Sequence, residues 1–451
     1  MRKYIKSLFQ SEEFRKYFSN TSWLLGEKIF RMAVNLVIGT IFVARYLGPE
    51  KFGILNYALS FVFLFSAFST LGLDGIVIRN FVKNKEKRDV LLGTTFILKL
   101  CGAGIVIILL LFGVQFTSND NLTNIYIFII GAATVFQSFN VIDFYYQSIV
   151  QSKYVVYSNI ITLCFSSLLK LYFIFIEASL LWFVIMFLID SIVLSAGLLF
   201  YYLKRHSVVK WKFSQEVAKK LLLDSWPLIL SGVFVSIYMK VDQVMIKEML
   251  NIAENGKYAA AVKISELWYF VPTVITASLF PAIVKSKEMG TVIYNTRLQQ
   301  LYDFMFLLSV AFALPMTFLS DWLIIFLYGE AFNEAGEILK IHVWAGVFVA
   351  FGLARGKWLI IENLQKYSIY YLFAGALANI ALNIILIPNF GILGAAIATF
   401  VSYGISTYIA PIFFKETRDT FIMQTKSITL YSTFARIIKT FRNEKPDRKN
   451  I

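Results

Sequence analysis

The residues able to do chemistry here are charges in places where charge is costly. In IYMKVDQVMIKEML (Ile237–Leu250), Lys240 and Asp242 sit inside an apolar run, Leu221 to about Ile246, whose only other charge is Asp224 near its start. Five more cations lie in similar runs: Lys28, Arg31, Lys99, Lys170 and Lys263. A Lys, Arg or Asp at the centre of a spanning helix costs roughly 2.5–3.5 kcal/mol even on the lenient insertion scale. Facing lipid, the six cations and their acidic partners would together cost on the order of 15–20 kcal/mol, beyond the stability of an ordinary fold. They must face a protein interior or a watery cavity. Held there, ammonium and guanidinium groups bind anions. Phosphate or diphosphate is the fitting class, because Lys and Arg offer it both charge and donors.

Spacing sorts these groups. Glu27, Arg31 and Asn35 repeat every four residues, with Lys28 three before Arg31, which makes one polar stripe on a helix. Ser236, Lys240, Gln243 and Lys247 follow a 4-3-4 step. Asp242 lies two residues from Lys240, so it points elsewhere and needs another partner. Lys263 and Glu266 share a face. Glu27–Arg31 and Lys263–Glu266 read equally well as ion pairs that only fix packing. Lys99, Lys170 and Lys240 have no acid three or four residues away, but Asp190 and Asp242 are available across helices. Counted this way, cations outnumber acids, and the cavity is expected to be lined with net positive charge. Asp190, Asp242 and Glu266 are the candidate coupling acids for a proton or a sodium ion, with no other cofactor expected. Cys101, Cys164, His206 and His342 are expected to serve packing or solvation, with no metal cluster and no disulfide framework.

The elements that must hold these groups are long and apolar. Of 451 residues, 58% are hydrophobic, 17% aromatic and only 16% charged. A soluble surface needs more charge than this, so the chain reads as an all-α polytopic membrane protein. Twelve spans of about 20 apolar residues are predicted, near 21–44, 54–74, 90–113, 121–142, 154–176, 179–202, 221–246, 258–284, 299–319, 338–361, 367–388 and 391–414. Between the ninth and tenth, WLIIFLYGEAF (Trp322–Phe332) reads as a re-entrant or interfacial piece. The N-terminus lacks the features of a signal peptide. Its Tyr4, Ile5, Leu8 and Phe9 among Lys and Arg suggest a short helix on the membrane surface.

Orientation follows from basic residues in the loops. With the N-terminus inside, inner segments hold 32 Lys and Arg and outer loops five, so both termini are expected on the cytoplasmic side of the inner (plasma) membrane. The net charge of +15 is then topology and calls for no nucleic-acid partner. The longest basic loop, Lys204–Lys220, divides the chain into a six-helix bundle over 1–203 and another over 221–414. A basic tail over 415–451, with FARIIKTF (Phe434–Phe441), is expected to rest on anionic lipid or in solvent. LGPEKFGILNYA (Leu47–Ala58) overlays LNIAENGKYAAA (Leu250–Ala261) with Leu, Gly and Ala in register, which suggests a parallel repeat. Pro227, Pro272, Pro281, Pro315 and Pro388 permit bending, and GILGAAIA (Gly391–Ala398) permits close helix approach.

Three segments carry a family resemblance. SGVFVSIYMKVDQVMIKEMLNIAENGKYAAAVKISELWYFVPTVITASLFPAIVKSK (Ser231–Lys287) resembles the seventh and eighth helices of polysaccharide-type flippases, the O-antigen or lipid-linked oligosaccharide flippases of the MATE-like exporter superfamily. ARYLGPEKFGILNYALSFVFLFSAFSTLGLDGIVIR (Ala44–Arg79) resembles the first loop and second helix, and LYGEAFNEAGEIL (Leu327–Leu339) the stretch between the ninth and tenth. The VDQ run and the YLGPE turn are the most specific parts. The resemblance lapses beyond about residue 414. Asn251 departs from it, since a glycine is expected in that turn.

The resemblance implies two six-helix bundles around a central cavity. It implies an activity that is not enzymatic: a short sugar chain on undecaprenyl diphosphate is carried by alternating access to the outer face, where a polymerase or ligase uses it. Arg31, Arg79, Lys240 and Lys263 occupy the positions implied to meet the diphosphate. Lys99 and Lys170 are added by their placement alone. Two rivals share the fold. A drug or cation antiporter would want a cavity dominated by carboxylates. A peptidoglycan-precursor flippase is expected to have more than twelve spans. A membrane enzyme acting on the same lipid is disfavoured by short outer loops and the absence of a sugar-nucleotide motif.

Overall fold

The computed structural model describes residues 12–206 and 210–429. The surface helix expected around Tyr4–Phe9 and the FARIIKTF segment lie outside the described residues. Among the described residues the regular elements are all helical, as apolar surroundings require. Without water, backbone N–H and C=O groups must be satisfied within the segment or in a closed barrel. Ten helical stretches are long and apolar enough to cross a membrane. Two of them are too long for one crossing. Ser22–Leu64 has 43 residues and Lys366–Phe413 has 48. A straight helix of 43 residues would run to about 65 Å, twice the roughly 30 Å hydrocarbon core. Each is broken by a glycine with positive φ, Gly48 (φ 69) and Gly391 (φ 59), a conformation closed to most side chains. Divided at these glycines, the ten stretches make twelve helical segments among the described residues, against twelve expected spans.

We label the two sides of Gly48 α1 and α2, then α3 (Arg88–Phe116), α4 (Asn121–Ser148), α5 (Lys153–Phe175), α6 (Leu180–His206), α7 (Gln215–Met249), α8 (Ile252–Glu288), α9 (Thr291–Tyr328) and α10 (Ala335–Ile361). The two sides of Gly391 are α11 and α12. The apolar surface left uncovered is large and regularly placed. On α9, Phe318, Trp322 and Phe326 are 78%, 60% and 60% exposed at four-residue spacing, a stripe that only lipid would solvate well.

The chain forms two compact units, Met1–Val244 and Met245–Ile451. The division falls inside α7. The reason lies in α2 and the residues after it. Ser60 Oγ donates to Gln243 Oε1 at 2.7 Å, Ser66 and Ser236 hydroxyls are 3.3 Å apart, and Arg79 Nη2 donates to Asp224 Oδ2 at 2.7 Å. The basic loop is no free linker either. Lys212 N donates to Asp89 O at 3.0 Å, Ser214 N to Thr94 Oγ1 at 3.0 Å, and Trp211 Nε1 to Tyr202 Oη at 3.1 Å. Gly93 permits this, since a Cβ there would stand 2.6 Å from the Lys212 backbone. The first unit's core gathers Leu73, Val77, Leu92, Val141, Tyr146 and Tyr202.

The second unit packs Tyr302, Met305, Phe351 and Tyr371 into its core. WLIIFLYGEAF is neither re-entrant nor loop. It continues α9 to Tyr328, stops at Gly329 (φ 92) and ends in a short 3-10 turn, Glu330–Phe332. Ordered packing also runs past residue 414. A short helix, Arg418–Ile428, is fixed to α9 by a buried polar knot. Ser427 Oγ donates to Asp303 Oδ1 at 2.6 Å, and Gln299 Nε2 donates to Met423 O at 3.0 Å and to Asp303 Oδ1 at 2.9 Å. Arg355, inside the predicted span 338–361, is buried in α10. Its Nη1 donates to the carbonyls of Ser406 and Thr407, both at 2.8 Å. Those carbonyls belong to a π-helical turn, Ile405–Ile409, whose altered ladder presents them sideways.

Candidate functional site

The polar stripe of α1 forms as its spacing predicts. Arg31 Nε lies 3.0 Å from Glu27 Oε1 one turn earlier. Glu27 is buried, while the Arg31 side chain stays 42% exposed. Arg31 and Asn35 open onto a pocket of about 190 Å³ that α5 and α6 complete with Asn159, Thr162, Ser166 and Asp190. Amides, hydroxyls, one guanidinium and one carboxylate therefore converge in a first unit otherwise built of Leu, Ile, Phe and Tyr.

Asp190 has its own cation. Lys170 Nζ lies 3.5 Å from Asp190 Oδ2, which also accepts from Ser166 Oγ at 3.0 Å. This is one of the cross-helix pairs the sequence left open. Lys99 is different. It is 3% exposed, and its ammonium meets Asp74 Oδ1 at 3.3 Å and the Phe144 ring at 4.8 Å. Its carboxylate is neither Asp190 nor Asp242. Arg79 pairs with Asp224 at 2.7 Å, both side chains well exposed. Lys240 is half-buried on α7, flanked by Asp242 and Gln243, each 3% exposed. Lys263 and Glu266 lie half-buried on α8, in the second unit.

Two residues of the first unit escaped the sequence reading. Asp74 was passed over at the end of the second predicted span, and Asp143 sits one residue beyond the fourth. Asp143 Oδ1 accepts from Gln147 Nε2 at 2.9 Å and lies within electrostatic reach of Asp74, Arg31 and Glu27. Asp143 could have been found as a carboxylate on an otherwise apolar aromatic turn, VIDFYY (Val141–Tyr146). With both included, Glu27, Asp74, Asp143, Asp190 and Asp242 match Lys28, Arg31, Lys99, Lys170 and Lys240 one for one. What the pocket offers is one partly exposed guanidinium, paired with Glu27, among amides and hydroxyls and the Asp190 carboxylate.

In the second unit, His342 is a packing residue, as expected. It is buried, and its Nδ1 meets Ser265 Oγ at 2.9 Å. Among the described residues no group of His, Cys, Asp and Glu is placed to hold a metal ion.

Comparison with known proteins adds the family. The family described as polysaccharide biosynthesis protein matches residues 17–287, more than half of the chain. A probable low-salt glycan biosynthesis flippase, Agl15 of Haloferax volcanii, is 25% identical over 174 residues, 38% of this chain and 37% of that protein. An uncharacterized membrane protein of Methanocaldococcus jannaschii, MJ1375, is 24% identical over 197 residues, 43% of this chain and 45% of that one. The matched stretches thus span less than half of these relatives. Among solved structures, the lipid II flippase MurJ in an inward closed conformation has a TM-score of 0.66 at 16% identity, covering 94% of this chain and 93% of that one. An inward-facing multidrug resistance MATE transporter has a TM-score of 0.65 at 13% identity, covering 88% and 96%. At these identities the likeness is one of fold, the two-bundle MATE-like architecture.

Proposed function

The chain belongs to the polysaccharide biosynthesis protein family, and from that premise we propose that it is a flippase for a lipid-linked oligosaccharide. The substrate would be a short glycan on undecaprenyl diphosphate, such as an O-antigen unit. It would be taken up at the cytoplasmic face of the inner membrane and released at the outer face by alternating access. The observation that carries this reading is the Arg31 pocket. A partly exposed guanidinium, with amide and hydroxyl groups around it and the Asp190 carboxylate held by Lys170, offers a diphosphate both charge and neutral hydrogen bonds within a spanning helix. Lys240 and Lys263 are the further proposed contacts. Arg79, Lys99 and Lys170 would reach the head group only by exchanging their carboxylate partners for it. Asp190, Asp242 and Glu266 are proposed to carry the coupling proton or sodium ion. A polymerase or ligase would then use the delivered glycan.

The test is made in cells lacking the protein, by extracting lipid-linked oligosaccharide and locating it with a membrane-impermeant glycan probe. Accumulation on the cytoplasmic face, with surface polysaccharide lost, supports flipping. No accumulation, or accumulation on the outer face, removes the protein from this step.

One observation favours a second reading, a MATE-type antiporter for organic cations. Five carboxylates of the first unit, Glu27, Asp74, Asp143, Asp190 and Asp242, stand beside the five cations of its predicted spans. Export of a lipophilic cationic dye from cells, abolished by Asp143→Asn, would support that reading over the first.

A further inference from the structure

His206 is the last residue of α6, and four segments of the first unit meet at its ring. Arg88, the first residue of α3, places Nη1 3.2 Å from His206 Nδ1. Tyr145 of α4 places its hydroxyl 3.3 Å from Nε2. Tyr202, one turn earlier on α6, sets its ring against the imidazole, with 4.8 Å between ring centres. The Tyr202 hydroxyl accepts from Trp211 Nε1, in the loop before α7, at 3.1 Å. Both nitrogens of the imidazole are therefore engaged.

The Arg88 contact fixes the protonation state. A guanidinium has no acceptor, so Nδ1 must supply the lone pair. The ring is then the neutral tautomer with its proton on Nε2, which donates to the Tyr145 hydroxyl. A second proton enters only at Nδ1. There it takes the lone pair that Arg88 uses and sets an imidazolium against a guanidinium. The surroundings do not offset that charge. Arg205 also lies within electrostatic reach, and Lys210 and Lys212 follow in the loop. The carboxylate within reach, Asp89, is already held by Arg88 Nε at 2.7 Å.

What the ring steadies is the start of α7. Trp211 rests on Tyr202 with 5.7 Å between ring centres. One residue on, Lys212 N donates to the backbone oxygen of Asp89, the neighbour of Arg88, at 3.0 Å. Ser214 N then donates to Thr94 Oγ1, and α7 begins at the next residue, Gln215. A change at the imidazole thus passes through Tyr202 and Arg88 directly to the backbone that leads into α7.

We infer that His206 is a pH-sensitive latch. Neutral, it ties the connection between α6 and α7 to α3 and α4. Protonated, it releases that connection and the first turn of α7. The inference goes beyond the proposed function and stands without it. Since α7 carries Lys240, a fall in pH on the side this loop faces loosens the entry to a helix proposed to meet the substrate.

The experiment uses the full chain in lipid nanodiscs. Deuterium exchange of the backbone amides over residues 210–217 is followed at about pH 7.5 and about pH 5.5, either side of the usual imidazole range, and corrected for the intrinsic pH dependence of exchange. Protection there is expected to fall at least about tenfold at the lower pH, the equivalent of one charge-assisted hydrogen bond. Amides within α4 should not change. His206→Gln can accept from Arg88 and donate to Tyr145 at either pH, and should lose the response. Arg88→Gln can accept from an imidazolium, and should lose it as well. His206→Arg carries a permanent charge and should exchange fast at both pH values. Equal protection at the two pH values in the wild type would overturn the latch. So would a response that survives in both His206→Gln and Arg88→Gln.

Discussion

Lys99 and Asp74 meet at 3.3 Å from two different helices, the ammonium 3% exposed and the carboxylate 55% exposed. The pair is asymmetric, and its two halves should fail differently. Asp74→Asn leaves a buried ammonium with only the Phe144 ring and a neutral amide beside it. A loss of about 1–3 kcal/mol is expected, the cost of a buried group deprived of its partner. Lys99→Met leaves a carboxylate that water already reaches, and should cost less. The double change should be milder than Asp74→Asn alone. Thermal unfolding of the purified variants checks this. Equal losses in both single variants would show that the pair is not the determinant.

Arg79 and Asp224 form the contrasting case. Both are well exposed, at 52% and 38% of the side chain. Exposed pairs contribute about 0–1 kcal/mol. Arg79→Ala should therefore leave the melting curve nearly unchanged. Any fall in surface polysaccharide in cells carrying it then reports a role in transport. A large drop in stability would instead make Arg79 structural.

How far these pairs were legible depended on geometry. The stripe of Glu27, Arg31 and Asn35 was readable because one helix sets it. So was the count of twelve spans, because apolar length is local. The partner of Lys99 was not readable, since Asp74 comes from another helix and a spacing rule reaches only one turn. The acceptors of Arg355 were not readable either, because they are backbone carbonyls of a π-turn about fifty residues away in sequence. The contacts of α7 with Ser60, Ser66 and Arg79 were hidden as well, because they are single polar contacts that composition does not mark.

Asn251 shows a sequence expectation replaced by a different solution. A glycine was expected there from the family resemblance; in the first half the corresponding place in the repeat is held by Gly48, whose φ is 69. Asn251 instead has extended backbone, φ −162, and caps α8 by accepting from Glu254 N at 2.9 Å. Glycine freedom is not needed at that φ. Asn251→Gly should cost only a few tenths of a kcal/mol, and Asn251→Ala about 0.5–2 kcal/mol, the usual loss of an N-cap. Thermal denaturation ranks the two. A more harmful glycine would contradict the capping role.

Gly93 makes the opposite demand. A Cβ there would meet Lys212 N and O at 2.6 Å, and backbone cannot move aside as a side-chain tip can. Gly93→Val should cost about 1–3 kcal/mol by overpacking. It should also free the segment after Lys210 from Asp89 and Thr94. Limited proteolysis between α6 and α7 should quicken in this variant, and wild-type resistance would refute the contact.

Lys240 poses the sharpest functional question. It is half-buried on a helix that also buries Asp242 and Gln243. Gln243 is already committed to Ser60, and Ser236, one turn before Lys240, to Ser66. The polar stripe of α7 is thus partly structural, and Lys240 is its proposed contact for the substrate. A charge-assisted hydrogen bond contributes about 1.5–3 kcal/mol, so Lys240→Ala should slow export by roughly tenfold to a hundredfold. Lys240→Arg keeps the charge and should retain most activity. Surface polysaccharide in complemented cells gives the first readout, and the melting temperature of each variant gives the second. Loss of export with unchanged stability in Lys240→Ala, rescued in Lys240→Arg, is the expected pattern. Full export in Lys240→Ala would leave the head group to Arg31 and Lys263.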